Sequence, residues 1–413
     1  MPDKLTHNHI PALRFPDFAN DGEWEVKRLG EIMQTITPPK KLQSIDYQKS
    51  GNYPIIDQSQ NYICGYSNDV DALVNRTSED LIVFGDHTCI LKIVDFPFIQ
   101  GADGIKIIKS KDSNQWDNKY VYQYLQFVPI ISSEYKRHFS ELKEKSVYYP
   151  KNIIEQSRIA ACLSALDEML AATNEKLEQL KAYKKGLMQQ LFANPMGYKS
   201  LIINDLQIQK LRFPEFRNEK EWEEKKLGEV AIVFQGYGFP EKMQGKGEGK
   251  YPFIKVGDIS TITNKGRKYI NESANYVDDD DIKELKAKPL QKGTVVFAKI
   301  GEAIRLNRRV ITAKQCMIDN NVAGVKAEQN LLCDDFLYYL MSLIDLAKYA
   351  GGVVPAVKKS TIEEISVFIP SLPEQRKIAS CLSTMDDQIN AYTEKVGLLG
   401  QYKKGLMQRM FPQ

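Results

Sequence analysis

Residues 155–192 read EQSRIAACLSALDEMLAATNEKLEQLKAYKKGLMQQLF, and residues 374–411 read EQRKIASCLSTMDDQINAYTEKVGLLGQYKKGLMQRMF. Set 219 positions apart, they share 20 of 38 residues without a gap. In the first, Ile159, Leu163, Leu166, Leu170, Thr173, Leu177, Leu180, Lys184, Leu187 and Leu191 follow one another in steps of four and three, the spacing of a heptad seam. The second repeats it with Ile378, Leu382, Met385, Ile389, Tyr392, Val396, Leu399, Lys403, Leu406 and Met410. Both seams are broken by a lysine at the same register, one residue after a tyrosine. A helix with such a stripe cannot bury it alone. Two matched seams in one chain therefore predict two long helices packed on each other as an antiparallel coiled coil. From Ile159 to Leu191 such a helix runs about 48 Å at roughly 1.5 Å per residue.

A second repeat precedes each helix. Residues 13–32, LRFPDFANDGEWEVKRLGEI, and 211–230, LRFPEFRNEKEWEEKKLGEV, share 13 of 20 positions at an offset of 198. The chain is thus a tandem of two halves, each with an opening motif, a middle and a closing helix. The middles, about 33–154 and 231–373, show no convincing similarity to each other. A solenoid would repeat everything at a short period. In the middles, Leu81–Phe84, Gly104–Ile108 and Thr294–Phe297 read as strands, punctuated by turns such as Ser50-Gly51-Asn52. Tyr120–Val128 and Asp335–Leu346 have helical spacing and suit helices covering a sheet. The fold class predicted is α/β (α+β): two mixed α/β domains joined by two long helices in a pseudo-two-fold tandem repeat. The boundaries are 1–150 for the first domain, 151–195 for its helix, 196–370 for the second domain and 371–413 for its helix. Asn194-Pro195-Met196-Gly197 begins the linker between the halves.

The 413 residues are 43% hydrophobic and 26% charged, ordinary for a globular protein, with 56 Lys and Arg against 53 Asp and Glu. A net charge of +3 excludes a uniformly basic chain but not a local basic face. No stretch approaches the ~20 apolar residues that span a bilayer, and MPDKLTHNHIPA lacks the apolar core of a secretory signal. The expectation is a cytoplasmic protein with no membrane contact, its six cysteines free and mostly buried.

Catalytic patterns are weak throughout. There is no G-x-x-x-x-G-K-[ST] phosphate loop. Phe234-Gln235-Gly236-Tyr237-Gly238 has the form of an adenine-methyltransferase cofactor loop, but no Asn/Asp-Pro-Pro-aromatic segment accompanies it. Asp278–Asp281 before Glu284-Leu285-Lys286 superficially matches a metal-nuclease order, and a solvated loop explains it better. The four histidines, His7, His9, His87 and His138, have no metal-ligand spacing. What remains is polar surface chemistry suited to nucleic acid, since Arg pairs with guanine or phosphate and Asn with adenine. Candidate DNA-binding residues in the first middle are Gln58, Tyr66, His87, Thr88 and Lys92. In the second they are Gln235, Tyr237, Lys255, Lys299, Arg305, Arg308 and Lys358.

Both opening motifs, with Leu-Arg-Phe-Pro at 13–16 and 211–214 and Trp-x-x-x-x-Leu-Gly-Glu from Trp24 and Trp222, carry a family resemblance. So do Ile369-Pro370-Ser371-Leu372-Pro373-Glu374-Gln375 and the Tyr-Lys-Lys-Gly-Leu-Met-Gln at 183–189 and 402–408. Over nearly its whole length the chain resembles the specificity subunit of a type I restriction–modification system. The resemblance implies two target recognition domains reading a bipartite, gapped, asymmetric site in double-stranded DNA. The helices would space them, a ~48 Å helix covering about 14 base pairs at roughly 3.4 Å each. It further implies two methylation and two restriction subunits as partners. No cofactor is expected on this chain, with S-adenosylmethionine, ATP and Mg2+ on the partners, and this chain is expected to be non-catalytic. Two rival readings are the recognition region of a single-chain methyltransferase–nuclease and a coiled-coil adaptor that binds protein.

Overall fold

The computed structural model describes residues 9–74, 77–102, 104–130, 137–192, 202–203, 206–207 and 211–412. It divides into two compact units, one made of Met1–Thr173 with Val396–Gln413 and the other of Asn174–Lys395.

In the first unit the core is a four-stranded antiparallel sheet in the order Met33–Ile36, Ile105–Ser110, Leu81–Gly85, Leu91–Val94. Leu81–Gly85 is buried along its whole length because both faces are covered. Ile82 and Phe84 share a core with Tyr120, Tyr124 and Leu125 of the helix Asn118–Phe127. Leu81 and Val83 point the other way, as strand alternation requires, and join Ile56, Val94 and Phe98. Ile56 and Phe98 belong to a second sheet, ordered Gly65–Ser67, Tyr53–Ile56, Phe98–Gln100, Leu73–Val74, in which the middle two strands are parallel. A separate ribbon pairs Glu25–Arg28 with Ser146–Tyr149 and so ties the opening motif to the end of the domain.

The second unit has the same plan. Its central sheet runs Ala231–Gln235, Val322–Ala327, Val295–Ala298, Val310–Thr312, Tyr269–Ile270. Val295 and Phe297 pack with Phe336 and Leu340 of the helix Asp334–Leu343, while Val296 faces Ile254 and Ile318. The second sheet holds Tyr276–Val277, Tyr251–Ile254 and Met317–Ile318, again with one parallel pair. The ribbon is Glu223–Lys226 with Ser366–Ile369. The two middles, dissimilar in sequence, therefore share the order and directions of the first four central strands and the covering helix, while the second middle matches the fourth strand of the other sheet, Leu73–Val74, only by a single bridge between Leu290 and Cys316. The second adds the helix Val256–Asn264 and the edge strand Tyr269–Ile270.

The seam predicted from the heptads is present. The long helices span Ile153–Leu191 and Leu372–Met410, and they pack as an antiparallel coiled coil. In the first unit Ile159 and Leu163 share a core with Met407, Met410 and Phe411. In the second, Leu191 and Phe192 share one with Ile378 and Leu382. Leu163, Leu177 and Leu382 are buried, and Leu166, Leu170, Leu180, Met385, Ile389, Val396 and Leu399 are half-buried. The two lysines that break the pattern are ion-paired across the helices: Lys403 Nζ lies 2.6 Å from Asp167, and Lys184 pairs with Asp386. These partners occupy equivalent positions of the repeat.

The sequence-predicted element ends shift slightly. The covering helices start two and one residues earlier than expected, and the second stops at Leu343 rather than Leu346. Asn194–Gly197 and His7 lie outside the described residues. Of the cysteines, only Cys316, bridged to Leu290 just before the strand Met317–Ile318, is buried; the other five sit on helix flanks and in loops and are half-buried.

Candidate nucleic-acid interface

Each opening motif feeds directly into an edge strand of its central sheet. The far end of that strand lies about 10–13 Å further on at roughly 3.3 Å per residue. The register brings a defined set of loops to that end. In the first unit Ile36 pairs with Ile107, and Ile105 with Gly85, so the loops after Gly85 and before Ile105 meet there. In the second, Gln235 pairs with Ala323, and Ala298 with Val322, which gathers the segments around Lys299 and Asp319.

In the first unit this geometry unites three of the five candidates. Thr88 Oγ1 donates to Gln58 O at 2.9 Å. A side chain at Gly104, which has φ +87°, would sit 2.8 Å from Gln58 Nε2 and 3.0 Å from His87 Cδ2. The positive φ favours glycine there, and its missing side chain leaves room for Gln58 and His87. Lys92 is placed otherwise. It is buried, and its ammonium donates to Asp57 O at 2.7 Å and Asn61 O at 2.5 Å. Burial draws its pKa down. It braces the turn that carries Gln58 rather than facing solvent. Tyr66 lies half-buried on the second sheet, exchanging backbone hydrogen bonds with Gln48, apart from the Gln58 cluster.

In the second unit Gln235 is exposed at the strand end. Gly236 follows because a Cβ there would meet Asp319 O at 1.9 Å, so the Phe-x-Gly-x-Gly pattern serves packing of this loop on Ile318-Asp319. Tyr237 O–H accepts from Lys288 N at 3.3 Å, and Lys255 donates to Gln244 at 2.8 Å while lying over the Phe239 ring. Lys299 is half-buried, with its pKa lowered by desolvation, and Lys358 is exposed. The backbone joins their segments: Val357 N donates to Lys299 O at 2.9 Å. Arg305 is exposed and pairs with Glu302, and Arg308 donates to Asn264 at 2.9 Å. The neighbouring Arg309 is buried over the Phe297 ring and donates to Asn307, which holds a left-handed turn at φ +49°. Burial lowers the Arg309 pKa to about 9.

The acidic cluster is neutralised by lysines. Asp279 pairs with Lys250 at 2.7 Å, Asp281 with Lys246 at 3.0 Å, and Glu284 with Lys242. Among the described residues no group of three His, Cys, Asp or Glu is disposed to hold a metal ion, and no helix is long and apolar enough to cross a membrane.

The opening motif of each unit is held to the start of a long helix by one duplicated device. Arg14 forms a two-pronged pair with Glu155 at 2.7 and 2.8 Å, and Arg212 does so with Glu374 at 2.9 and 2.7 Å. Gln156 and Gln375 each donate to two backbone carbonyls and accept from the N–H of the residue just before the covering helix, Asp117 or Cys333. The sequence repeat marked these residues without revealing their role.

Two mixed α/β modules of one topology, each with its own polar loops at equivalent strand ends and its own copy of a shared helical frame, define a tandem recognition protein. Residues 21–182 and 219–397 match the type I restriction modification DNA specificity domain, and the chain belongs to that family: it is a DNA-recognition subunit of a type I restriction–modification system. It is 25% identical over 384 residues to the type I restriction enzyme EcoR124I/EcoR124II specificity subunit of Escherichia coli, covering 89% of this chain and 87% of that one. It is 23% identical to the MjaVIII specificity subunit of Methanocaldococcus jannaschii, covering 96% and 92%. The fold matches the S subunit of a type I restriction-modification system from M. genitalium with a TM-score of 0.65 at 16% identity, covering 98% of this chain and 99% of that one.

Proposed function

We propose that the first unit reads one half of a gapped, asymmetric DNA site and the second unit the other half. On this reading the long helices carry two methylation subunits, and two restriction subunits join them. The chain chooses the address and performs no bond chemistry. S-adenosylmethionine, ATP and Mg2+ belong to the partner subunits, and the complex acts in the cytoplasm.

The observation that carries this reading is the contrast between frame and loops. The Arg14–Glu155 and Arg212–Glu374 pairs are alike in both units. The loops at equivalent strand ends differ: Gln58, His87 and Thr88 in one, and Gln235, Lys299 and Lys358 in the other. A repeated frame suits two copies of one partner, and unlike loops suit unlike half-sites. Base edges are read by such side chains, while phosphates set register.

Methylome sequencing of cells with and without this chain, its partner subunits present in both, tests the reading. The expected result is an adenine methylation motif of two unlike halves that vanishes with the chain. A motif that persists without it, or an ungapped one, overturns the proposal. A gel shift against random-sequence competitor separates it from a protein-binding adaptor.

A further inference from the structure

Between the short helical turn Leu346–Tyr349 and Lys358, the second unit projects a tied turn with the sequence Gly351-Gly352-Val353-Val354-Pro355-Ala356. Gly351 and Ala356 exchange both backbone hydrogen bonds at 3.1 Å. The turn is fastened to the strand end, because Gly301 N donates to Pro355 O at 2.8 Å and Val357 N to Lys299 O at 2.9 Å. Gly352 supplies the positive φ, +95°, that closes it. Its tip is apolar. Val353 is fully exposed, at 104% of its reference area, and Val354 is 62% exposed. Exposed turns favour Gly, Asn, Asp and Ser, so two adjacent valines at the tip contribute nothing that folding needs.

We propose, resting on the DNA-recognition reading above, that Val353 and Val354 read the 5-methyl group of a thymine in the major groove. Three features point to this occupant. The base of the turn is flanked by Lys299, whose backbone O accepts from Val357 N, and by the exposed Lys358, cations suited to the phosphates on either side of a groove. In the major groove the thymine methyl is the apolar feature of a base pair, and small apolar side chains recognise it. Valine is stiff about χ1, so a tied turn presents its methyls in a fixed direction at little entropic cost. Valine is also too short for the alternative apolar role. Side chains that wedge between base steps are longer or flatter, such as Phe, Leu, Ile and Met.

The test uses the full chain with its methylation subunits and the target that methylome sequencing defines. Each thymine of the target is replaced in turn by deoxyuridine, which removes only the methyl. One replacement, in one half-site, should weaken binding about fourfold, the worth of one buried methyl-sized group. The double variant Val353→Ser, Val354→Ser should bind the two duplexes equally and keep the wild-type salt slope and melting temperature. A target without thymine, insensitivity to every replacement, or a double variant that still prefers the methyl overturns the inference. If the wild-type complex fails to prefer its target over random DNA, the recognition reading itself fails. Target preference with no methyl effect sinks this inference alone.

Discussion

Phe411 is the most informative residue to remove. It lies at the end of the second long helix, yet it is 1% exposed in the core of the first unit. Its ring meets Trp24 at 6.5 Å, Tyr120 at 5.9 Å, and Tyr124 and Phe127 at 5.2 Å each. Truncating a buried phenylalanine to alanine costs about 3–5 kcal/mol. For a unit of this size, each kcal/mol shifts the midpoint by roughly 2–4 °C. Phe411→Ala should therefore lower the melting of the first unit by about 6–20 °C and leave the second unit's transition in place. Phe192 is its counterpart, packed on Trp222 at 5.9 Å and Phe336 at 5.3 Å. Phe192→Ala should do the converse, lowering the second unit alone. Hydrogen exchange followed by mass spectrometry along a temperature series reads each unit separately. If Phe411→Ala loosened peptides of 211–395 while those of 15–130 kept their protection, the crossed assignment of the helix ends would be refuted.

Four further outcomes follow from the same geometry. Glu374→Ala strands the Arg212 guanidinium, 11% exposed, and should cost about 3–5 kcal/mol, whereas Glu364→Ala, which breaks the exposed pair with Lys226, should cost under about 1 kcal/mol; urea titration compares them. Lys403→Met removes charged hydrogen bonds to Asp167 and Gln126 and should cost about 1.5–3 kcal/mol, with Asp167→Asn adding less than its own single effect in a double-mutant cycle. Lys299→Ala and Lys358→Ala should each reduce the slope of log affinity against log salt by about 0.9 if they meet phosphates, and an unchanged slope removes the residue from the interface. The Cys316 thiol, pushed up to about 12 by burial, should stay unalkylated at pH 8 in the folded chain and react once urea unfolds it; modification before unfolding would contradict the packing.

The helices and the tandem organisation were legible because a heptad seam needs apolar residues at fixed steps and tolerates little else. The shared topology of the middles was not. A strand buried on both faces asks only for apolar character, so Leu81-Ile82-Val83-Phe84 and Thr294-Val295-Val296-Phe297 serve one position in the fold, and a match of two residues in so short a run does not stand out. Where the polar candidates sit in the fold was less legible. Lys92 and Arg309 look like surface cations in sequence, yet both are buried and donate to backbone carbonyls from distant positions, Asp57 for Lys92 and Ile344 for Arg309. Val353 and Val354 had the opposite fault. Apolar residues in sequence suggest core, and only the tied turn shows them to be exposed.

The composition of the two units also sets an order of folding that chain order would not suggest. Asn174–Lys395 is one continuous stretch, so the second unit has all its walls once that stretch is made. The first unit is synthesised earlier but remains incomplete until Val396–Gln413 returns to it. Closing a flexible loop of about 220 residues costs roughly 5 kcal/mol in chain entropy. Folding of the second unit removes most of that freedom in advance, because the intervening chain is then compact. The first unit's last wall, with Met407, Met410 and Phe411, is thus completed at lower cost after the second unit has formed. The same logic explains why the ends of the long helices are duplicated so faithfully while the middles diverge. Each recognition domain is finished by the other half's helix end, so a change at Phe192 or Phe411 has to suit a domain in the opposite half of the chain. The loops at the strand ends answer to no such partner, and on the proposed reading they are free to change with the DNA.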